Sequence, residues 1–240
     1  NQIDGVQGYH LVQSFAEGEL TPELAHRIGL ELAEKLLCSV TYPFEALKKI
    51  GDYIKEIGPA LDKEIYEERG ESIWVARSAK IAPSASITGP CIIGERTEVR
   101  HCAFIRGNAL VGNDCVVGNS TELKNVVLIG TVQVPHYNYV GDSILGFHSH
   151  MGAGSITSNV KSDKSLVVLK KGEERLETGL KKFGAILGDY VEVGCGTVLN
   201  PGTIVGKNTN IYPLSSVRGV IEPNSIYKKS GETVKKRYEC

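Results

Sequence analysis

The sequence lacks the features of a membrane or exported protein. It has no apolar run near the roughly 18 residues that a membrane-spanning helix needs, and its first residues do not combine a charged start with an apolar stretch. We therefore expect no membrane span, no secretion and a cytoplasmic location. The net charge is −1, so we expect no broad electrostatic attraction to nucleic acid or to an anionic membrane.

Paired cysteine motifs are also missing. The six cysteines stand at positions 38, 91, 102, 115, 195 and 240, without a C-x-x-C pair. This spacing favours neither a zinc site nor a disulfide framework. Cys91 and Cys115 fall on the small inward positions of the repeat described next, so we interpret them as reduced, buried thiols and expect no metal.

What the sequence does contain is a period of six. Aliphatic residues occupy every sixth position from Ile81 to Ile129 and again from Leu187 to Val217, with a slip between Val134 and Leu145. Glycine often follows the aliphatic residue directly, at Gly94, Gly112, Gly118 and Gly130. A fixed six-residue period is typical of a parallel β-helix, in which three hexads form a triangular coil of about 18 residues. The aliphatic side chains would fill the interior, and we expect the glycines to supply unusual backbone angles. The strands of a sandwich would alternate with a period of two instead.

The residues before the repeat favour helices. Thr21-Pro22-Glu23 is a helix-start pattern, and apolar spacing predicts a helix to about Leu37. A second helix should follow Pro43 and stop at Gly58, and a third should cover Asp62–Glu68 and end at Gly70. We therefore assign residues 1–73 to a helical segment and expect it to cap the open end of the β-helix.

The remaining boundaries follow from where the hexads stop and resume. Residues 74–227 form the expected β-helix, interrupted at about 160–184 by an excursion with two short strands joined through Lys171-Gly172. Such an excursion often carries binding or subunit contacts, and the sequence does not decide between them. The basic tail at 228–240 is most simply a solvated end.

Three residues point to chemistry. Arg106 and Lys124 are 18 positions apart, so we expect them to stack on adjacent coils about 4.8 Å apart. Two stacked cations suggest an anion such as phosphate, although two solvated charges that avoid each other fit equally well. His136 stands at the slip in the hexads beside tyrosines and is a candidate general base. A structural histidine, or a metal cluster with His101, His148 and His150, is the alternative.

Four runs together resemble a known family. They lie at 104–108, 118–124, 136–142 and 152–159, and they resemble the acetyltransferase domain of the bifunctional N-acetylglucosamine-1-phosphate uridyltransferase / glucosamine-1-phosphate N-acetyltransferase family. The resemblance covers about residues 74–225. The longer excursion ending near Ala185 is similar to that of archaeal-type sugar-1-phosphate nucleotidyltransferases, which carry a comparable C-terminal β-helix.

The resemblance implies a fold, a reaction and a set of site residues. It implies a left-handed β-helix, a homotrimer with sites between neighbouring subunits, and acetyl-CoA as cosubstrate in nucleotide-sugar synthesis. His136 would be the general base that deprotonates the amine of glucosamine 1-phosphate. Substrate binding would fall to Arg106 and Lys124 at the phosphate, and to Tyr139, His150 and Asn159 at the sugar. Ala153, Cys195 and the segment near Pro213 would line the CoA groove.

Some positions depart from the family. His150 stands where the family usually has asparagine, and Cys195 where serine is common. A substrate-reaching lysine of the family has only Lys161 and Lys164 as candidate equivalents. A nucleotidyltransferase phosphate loop is absent from this sequence, so we expect no uridylyltransferase activity.

Two other functions are alternatives. A γ-type carbonic anhydrase is also a trimeric β-helix, but Asn108 replaces the aspartate of its Arg-Gly-Asp motif and the histidine spacing differs. A non-catalytic β-helix that binds a sugar nucleotide or a partner chain is the third possibility.

Overall fold

The prism of stacked coils that the hexads predict is present. A computed structural model describes residues 28–171, 173–228 and 231–236, and most of them form a left-handed parallel β-helix with three faces. Along each coil the chain runs through face 1, then face 3, then face 2. The fold class predicted from the sequence is therefore confirmed. In the described part of the chain, no helix is both long enough and apolar enough to cross a membrane.

The strands of the three faces are as follows. Face 1 consists of β2 (Ile73–Ala76), β5 (Cys91–Ile93), β8 (Ala109–Val111), the second halves of β10 (Glu122–Leu128) and β12 (Tyr139–Leu145), β17 (Ala185–Leu187), β20 (Thr203–Val205) and β23 (Val220–Ile221). Face 2 consists of β4 (Ser86–Ile87), β7 (Phe104–Ile105), the first halves of β10 and β12, β14 (Ile156–Thr157), β19 (Val198–Leu199) and β22 (Ser216–Val217). Face 3 consists of β3 (Lys80–Ile81), β6 (Glu98–Val99), β9 (Val116–Asn119), β11 (Gln133–His136), β13 (His150–Met151), β18 (Glu192–Val193), β21 (Asn210–Ile211) and β24 (Ser225–Tyr227).

The strand register explains the slip in the hexads. Ile93 pairs with Val111 across a full coil of three hexads. Val111 then pairs with Leu128, and Leu128 pairs with Leu145. Each of these two coils has one residue fewer than the coil from Ile93 to Val111. Leu145 pairs with Leu187 because the excursion lies between them. Two coils are thus one residue short, which moves the interior aliphatic residues out of a strict count of six.

The glycines that follow the aliphatic residues have a different role from the one expected. Gly94, Gly112 and Gly118 do not adopt positive φ; the left-handed conformation falls two residues later, for example at Asp114 (φ 57°) and Ser120 (φ 52°). A Cβ on Gly112 would overlap the carbonyl oxygen of Ile129 in the next coil. These glycines therefore allow neighbouring coils to approach closely, and the expectation that they supply unusual backbone angles is wrong.

The N-terminal segment is only partly helical. Helix α1 spans Ile28–Cys38, a 3₁₀ helix Pro43–Lys48, α2 Ile50–Ile57 and a second 3₁₀ helix Gly58–Ala60. The expected helix start at Thr21 lies outside the described residues, while the expected ends near Leu37 and Gly58 are confirmed. The third helix is wrong, because β1 (Tyr66–Gly70) is a strand that pairs antiparallel with β2. It covers the backbone edge that the first coil would otherwise expose.

The expectation that the helices cap the end of the β-helix is wrong, because they pack along its side. The outward positions of face 1 carry apolar residues that are buried against this layer: Trp74, Ile92, Leu110, Val127, Ile144 and Ile186. From the helical segment, Phe44, Leu47, Ile50 and Ile54 fill the same cluster. A face with an apolar outward residue on coil after coil needs a covering layer, which is why the helices lie there.

The excursion covers the rest of face 1. Its strands β15 (Val168–Lys171) and β16 (Glu174–Glu177) form the expected antiparallel pair. The hairpin folds back onto the β-helix, so that Val167 and Phe183 are buried in the same cluster as the helices. The ring of Phe183 lies 5.9 Å from that of Phe44.

The far end of the β-helix is closed by the tail. Strand β25 (Thr233–Lys235) pairs antiparallel with β24, and Lys236 donates a hydrogen bond to Asn208 at 3.0 Å. The expectation of a wholly solvated tail is therefore wrong for residues 233–236, which cover the last strand edge of face 3.

Candidate active site

His136 lies at the edge where face 3 ends and face 2 begins. It is the last residue of β11, its side chain is exposed, and its strand partner in the coil below is Asn119. In the coils above, the Gly154 N–H donates to the His136 carbonyl (3.0 Å) and the Gly196 N–H to the Ala153 carbonyl (2.9 Å). This edge therefore stacks His136, Ala153, Cys195 and Pro213 in one column, and the last three are the positions that the resemblance implies for a CoA groove.

A buried amide fixes the backbone around His136. Asn138 is 2% exposed, and its side-chain oxygen accepts a hydrogen bond from the His136 backbone N–H at 3.1 Å. Its amide nitrogen donates to the carbonyls of Gly152 (2.9 Å) and Ser155 (3.1 Å) in the coil above. The sequence analysis assigned no role to Asn138, and its only signal was its place inside the run that carries the resemblance.

Arg106 and Lys124 stack on face 2 as predicted. Ile105 of β7 pairs with Leu123 of β10. The next residues, Arg106 and Lys124, therefore lie one above the other on adjacent coils. Each cation has an acid of its own: Arg106 pairs with Glu122 at 2.7 Å and Lys124 with Asp142 at 3.1 Å. Carboxylates already relieve the repulsion between the stacked cations, so stacking alone does not require a bound anion.

Tyr139 and Asn159 lie beside this column. The Asn159 amide donates to the Tyr139 hydroxyl at 3.2 Å and also to Asp142. Burial raises the pKa of Tyr139 above its ordinary value, and the negative charges of Asp142 and Glu122 raise it further. The phenol therefore stays neutral and can donate a hydrogen bond at physiological pH.

Asp142 is a site residue that sequence reasoning missed. It is buried at the edge where face 2 ends and face 1 begins, with φ 48°. Its carboxylate accepts hydrogen bonds from Lys124, Asn125 and Asn159. Asn125 and Asn108 occupy the same left-handed position in the two coils below (φ 55° and 49°). This ladder of short polar residues was the signal that could have revealed it.

The structure groups four of the predicted substrate residues and places His136 across face 2 from the cations. Lys124 pairs with Gly141, which follows His136 by five residues along the next coil. Five residues reach at most about 18 Å when fully extended. Face 2 is thus a strip with an imidazole at one edge and two cations at the other.

His150 lies elsewhere. It is on face 3, where its Nδ1 atom is 2.8 Å from a carboxylate oxygen of Glu192. The candidate lysine Lys161 lies in the excursion, where it contacts Ser165 and Asp163. The contact with Glu192 holds the His150 side chain on face 3, apart from the cations of face 2.

The histidines within the described part of the chain do not converge on a metal site. His148 stacks on Tyr190 with ring centroids 5.4 Å apart, and His101 is hydrogen-bonded to Ser84 at 2.9 Å. Within residues 28–171, 173–228 and 231–236 there is no group of three or more His, Cys, Asp or Glu residues that could hold a metal ion.

An open groove of about 510 Å³ lies on face 3 below His136. Its lining includes Glu98, Arg100, His101 and Asn119, and Asn119 is the strand partner of His136. Arg100 and Glu98 form an ion pair at 3.1 Å within it. The groove therefore continues the His136 edge toward the first coils.

Comparison with known proteins agrees with this architecture. The family model described as GMPPB C-terminal domain matches residues 87–225. A second model, described as a MobA/VirD2-like relaxase nuclease domain, matches only residues 1–43, which is too short a part of the chain to assign it to that family.

Several curated proteins are similar over part of their length. The "Bifunctional protein GlmU" of Methanococcus aeolicus is 34% identical over 175 residues, which is 65% of this chain and 42% of that protein. The "Bifunctional sugar-1-phosphate nucleotidylyltransferase/acetyltransferase" of Sulfurisphaera tokodaii is 30% identical over 105 residues, which is 44% of this chain and 26% of that protein. The chain thus spans less than half the length of either relative.

Among solved structures, a hexapeptide transferase family protein from Anaplasma phagocytophilum aligns with a TM-score of 0.43 and 15% identity, over 69% of this chain and 79% of that chain. The family resemblance seen in the motifs is confirmed by the matched model and by the GlmU relatives. Because the matched region covers more than half of the chain, from the last strand of the first coil into the last coil, the chain belongs to the family of the GMPPB C-terminal domain.

Proposed function

We propose that this chain transfers the acetyl group of acetyl-CoA to the amino group of an amino-sugar 1-phosphate, with glucosamine 1-phosphate as the first acceptor to test. The observation that carries the proposal is the strip on face 2, which has an exposed imidazole at one edge and two stacked cations at the other. The names of the GlmU and nucleotidylyltransferase/acetyltransferase relatives support the reaction class.

The chemistry asked of the chain is one proton transfer and the placement of two substrates. The acceptor amine attacks the thioester carbon of acetyl-CoA, a C–N bond forms, and the C–S bond breaks to release CoA. His136 accepts the proton that the amine loses, and that proton then goes to the departing thiolate, so the products are the N-acetyl sugar phosphate and CoA thiol. General-base catalysis of this kind contributes about 10²–10⁴-fold.

The acceptor would be held on face 2. Arg106 and Lys124 would bind its phosphate, and Tyr139 and Asn159 would bind the sugar. A phosphate must share these cations with Glu122 and Asp142, and the more exposed pair, Arg106 with Glu122, is the easier one to open because an exposed ion pair contributes little. His150, on face 3, would reach the acceptor only if the acceptor extends over the edge or if a second copy brings it closer.

Acetyl-CoA would run along the edge above His136. Ala153, Cys195 and Pro213 stack there, one per coil. A small residue at 153, directly above the imidazole, leaves room for the thioester beside the base.

A homotrimer is supported by where free surface remains. Face 1 is covered by the N-terminal helices and the excursion, so faces 2 and 3 and their shared edge are left for contact between subunits. Tyr137 and Leu214 on that edge are 63% and 64% exposed, and in a trimer a neighbouring subunit would cover them. The product, an N-acetylated sugar 1-phosphate, is the class of compound that a nucleotidyltransferase consumes.

The test is an acceptor panel. Purified chain is incubated with acetyl-CoA and, in turn, glucosamine 1-phosphate, galactosamine 1-phosphate, glucosamine 6-phosphate and glucosamine, and CoA thiol and N-acetyl product are measured. We expect turnover with a 1-phosphate and much less with glucosamine. Equal background rates with every acceptor would refute the proposal and favour a non-catalytic β-helix that binds its ligand without turnover.

A further inference from the structure

Asp142 is an unusual residue for the edge of a β-helix. Among the charged side chains of residues 32–171, 173–228 and 231–236 it alone is buried, with 4% of its surface exposed. A carboxylate that is removed from water without partners is strongly destabilising. Its burial is therefore tolerable only because donors surround it.

The donors come from two coils. Lys124 Nζ is 3.1 Å from both carboxylate oxygens, and Asn125 Nδ2 is 2.9 Å from Oδ1. Asn159 Nδ2 donates to Oδ2 from the coil above. Two of these donors, Lys124 and Asn159, are side chains that bind the acceptor in the proposed function.

We propose that Asp142 is a positioning residue, whose carboxylate holds the Lys124 ammonium and the Asn159 amide in the orientation in which they meet the acceptor. This inference rests on the proposed function for its kinetic consequences. Asp142 itself is shielded from ligand by the groups it binds, so it acts through them.

The position of Asp142 is determined from outside the β-helix. Asn125 also donates to the carbonyl of Leu47 in the first 3₁₀ helix at 3.0 Å. The Gly184 N–H donates to the Asp142 carbonyl (2.8 Å), and the Phe183 N–H donates to the Asn159 carbonyl (2.9 Å). The helical layer and the excursion thus hold the carboxylate and its partners in place, which gives both segments a role in the site.

One test needs no substrate. Asp142→Asn removes the charge with little change in shape, and the chain is labelled briefly with acetic anhydride and analysed by mass spectrometry. We expect faster labelling of Lys124, because a lysine held in an ion pair reacts more slowly than a free one, and unchanged labelling of Lys80, which lies on face 3. Asp114→Asn is the matched control, since Asp114 is another edge residue with positive φ (57°) that pairs with a cation, Arg96.

The second test is kinetic. Asp142→Asn should raise KM for the acceptor about tenfold and leave kcat and KM for acetyl-CoA nearly unchanged, as loss of ground-state binding does. In a Lys124→Met background the same change should add little, because Asp142 acts largely through Lys124. A merely structural role would lower kcat and both affinities together and would be additive with Lys124→Met.

If Asp142→Asn does not fold, Asn125→Gly serves instead. Glycine accepts the left-handed backbone at this position (φ 55°) while removing the amide that braces Asp142, and it should shift both measurements in the same direction by less. Unchanged Lys124 labelling, or equal effects of Asp114→Asn, would overturn the inference. If the unmodified chain acetylates no amino sugar, the proposed function fails, and the labelling result still decides whether Asp142 holds Lys124.

Discussion

The two cations on face 2 are held to different degrees. The side chains of Arg106 and Glu122 are 47% and 31% exposed, whereas those of Lys124 and Asp142 are 25% and 6% exposed. An exposed pair is screened by water and salt, while a mostly buried one is screened much less. In the proposed site, Arg106 would therefore be the mobile partner for an incoming phosphate, and Lys124 the fixed one.

Removing the fixed cation should weaken selection of phosphorylated acceptors. For Lys124→Met we expect kcat/KM for glucosamine 1-phosphate to fall about 10- to 100-fold, since a charge-assisted contact contributes about 1.5–3 kcal/mol. The value for unphosphorylated glucosamine should change much less. The control is Arg96→Met, which removes a cation that pairs with Asp114 at the edge of face 3 opposite the His136 edge. An equal fall of kcat/KM in Arg96→Met would contradict the assignment of Lys124 to the phosphate.

The cysteines allow a second residue-level prediction. Burial raises the pKa of Cys91 and of Cys115 to about 12. At about pH 8 both therefore remain thiols and should resist iodoacetamide in the folded chain. Cys102 and Cys195 are exposed and should react. Acetyl-CoA, added without acceptor, should slow alkylation of Cys195 and not of Cys102, as followed by peptide mass spectrometry. Equal protection of both cysteines, or of neither, would argue against a CoA groove along this edge.

At the scale of the coils, close approach of neighbouring backbones limits which residues fit. A Cβ on Gly118 would overlap the backbone of Pro135, whereas the nearest atom to a Cβ on Gly130 is 3.6 Å away. We expect Gly118→Ala to destabilise the chain by about 1–3 kcal/mol, the usual cost of overpacking, and Gly130→Ala to change stability by less than about 0.5 kcal/mol. Thermal unfolding followed by circular dichroism compares the pair; similar melting temperatures would contradict this explanation of the glycines.

The β-helix could be predicted because its signal is local. Each interior aliphatic residue sits six positions from the next, and no distant contact is needed to recognise that pattern. The side-on packing of the helices had a signal too, since Ile92, Leu110 and Val127 each precede an interior aliphatic residue on face 1. When every third hexad has an apolar residue on its outward side as well as on its inward side, the face that these hexads form is covered. The strand at Tyr66–Gly70 had no such signal, because its partner is the open edge of another strand.

The site could be predicted only where three full hexads separate one coil from the next. They do so for Arg106 and Lys124, which therefore stack as expected. A further step of the same length would stack Asp142 on Lys124, but the next coil is one residue short and places Gly141 there. Asp142 is thereby moved to the edge, where its side chain turns back toward Lys124. Register determines this contact, and register is not visible in the sequence alone.

For the whole molecule, the covering of face 1 limits how copies can meet. We expect a mass of about three times the 26.0 kDa of one chain in light scattering, with the His136 edge at the contact between subunits. Tyr137→Glu, which puts a charge at that edge, should shift the chain toward monomers and lower activity with it. A monomer that retains full activity would contradict a shared site.

In the proposed reaction, His136 accepts the proton of the acceptor amine. The most direct measurement is the rate of CoA release from acetyl-CoA with saturating glucosamine 1-phosphate, for the unmodified chain, His136→Ala and His101→Ala. His101 is an exposed control at the same edge, two coils below. We predict a fall of about 10²–10⁴-fold for His136→Ala and a near-normal rate for His101→Ala. An unchanged rate for His136→Ala would contradict the account.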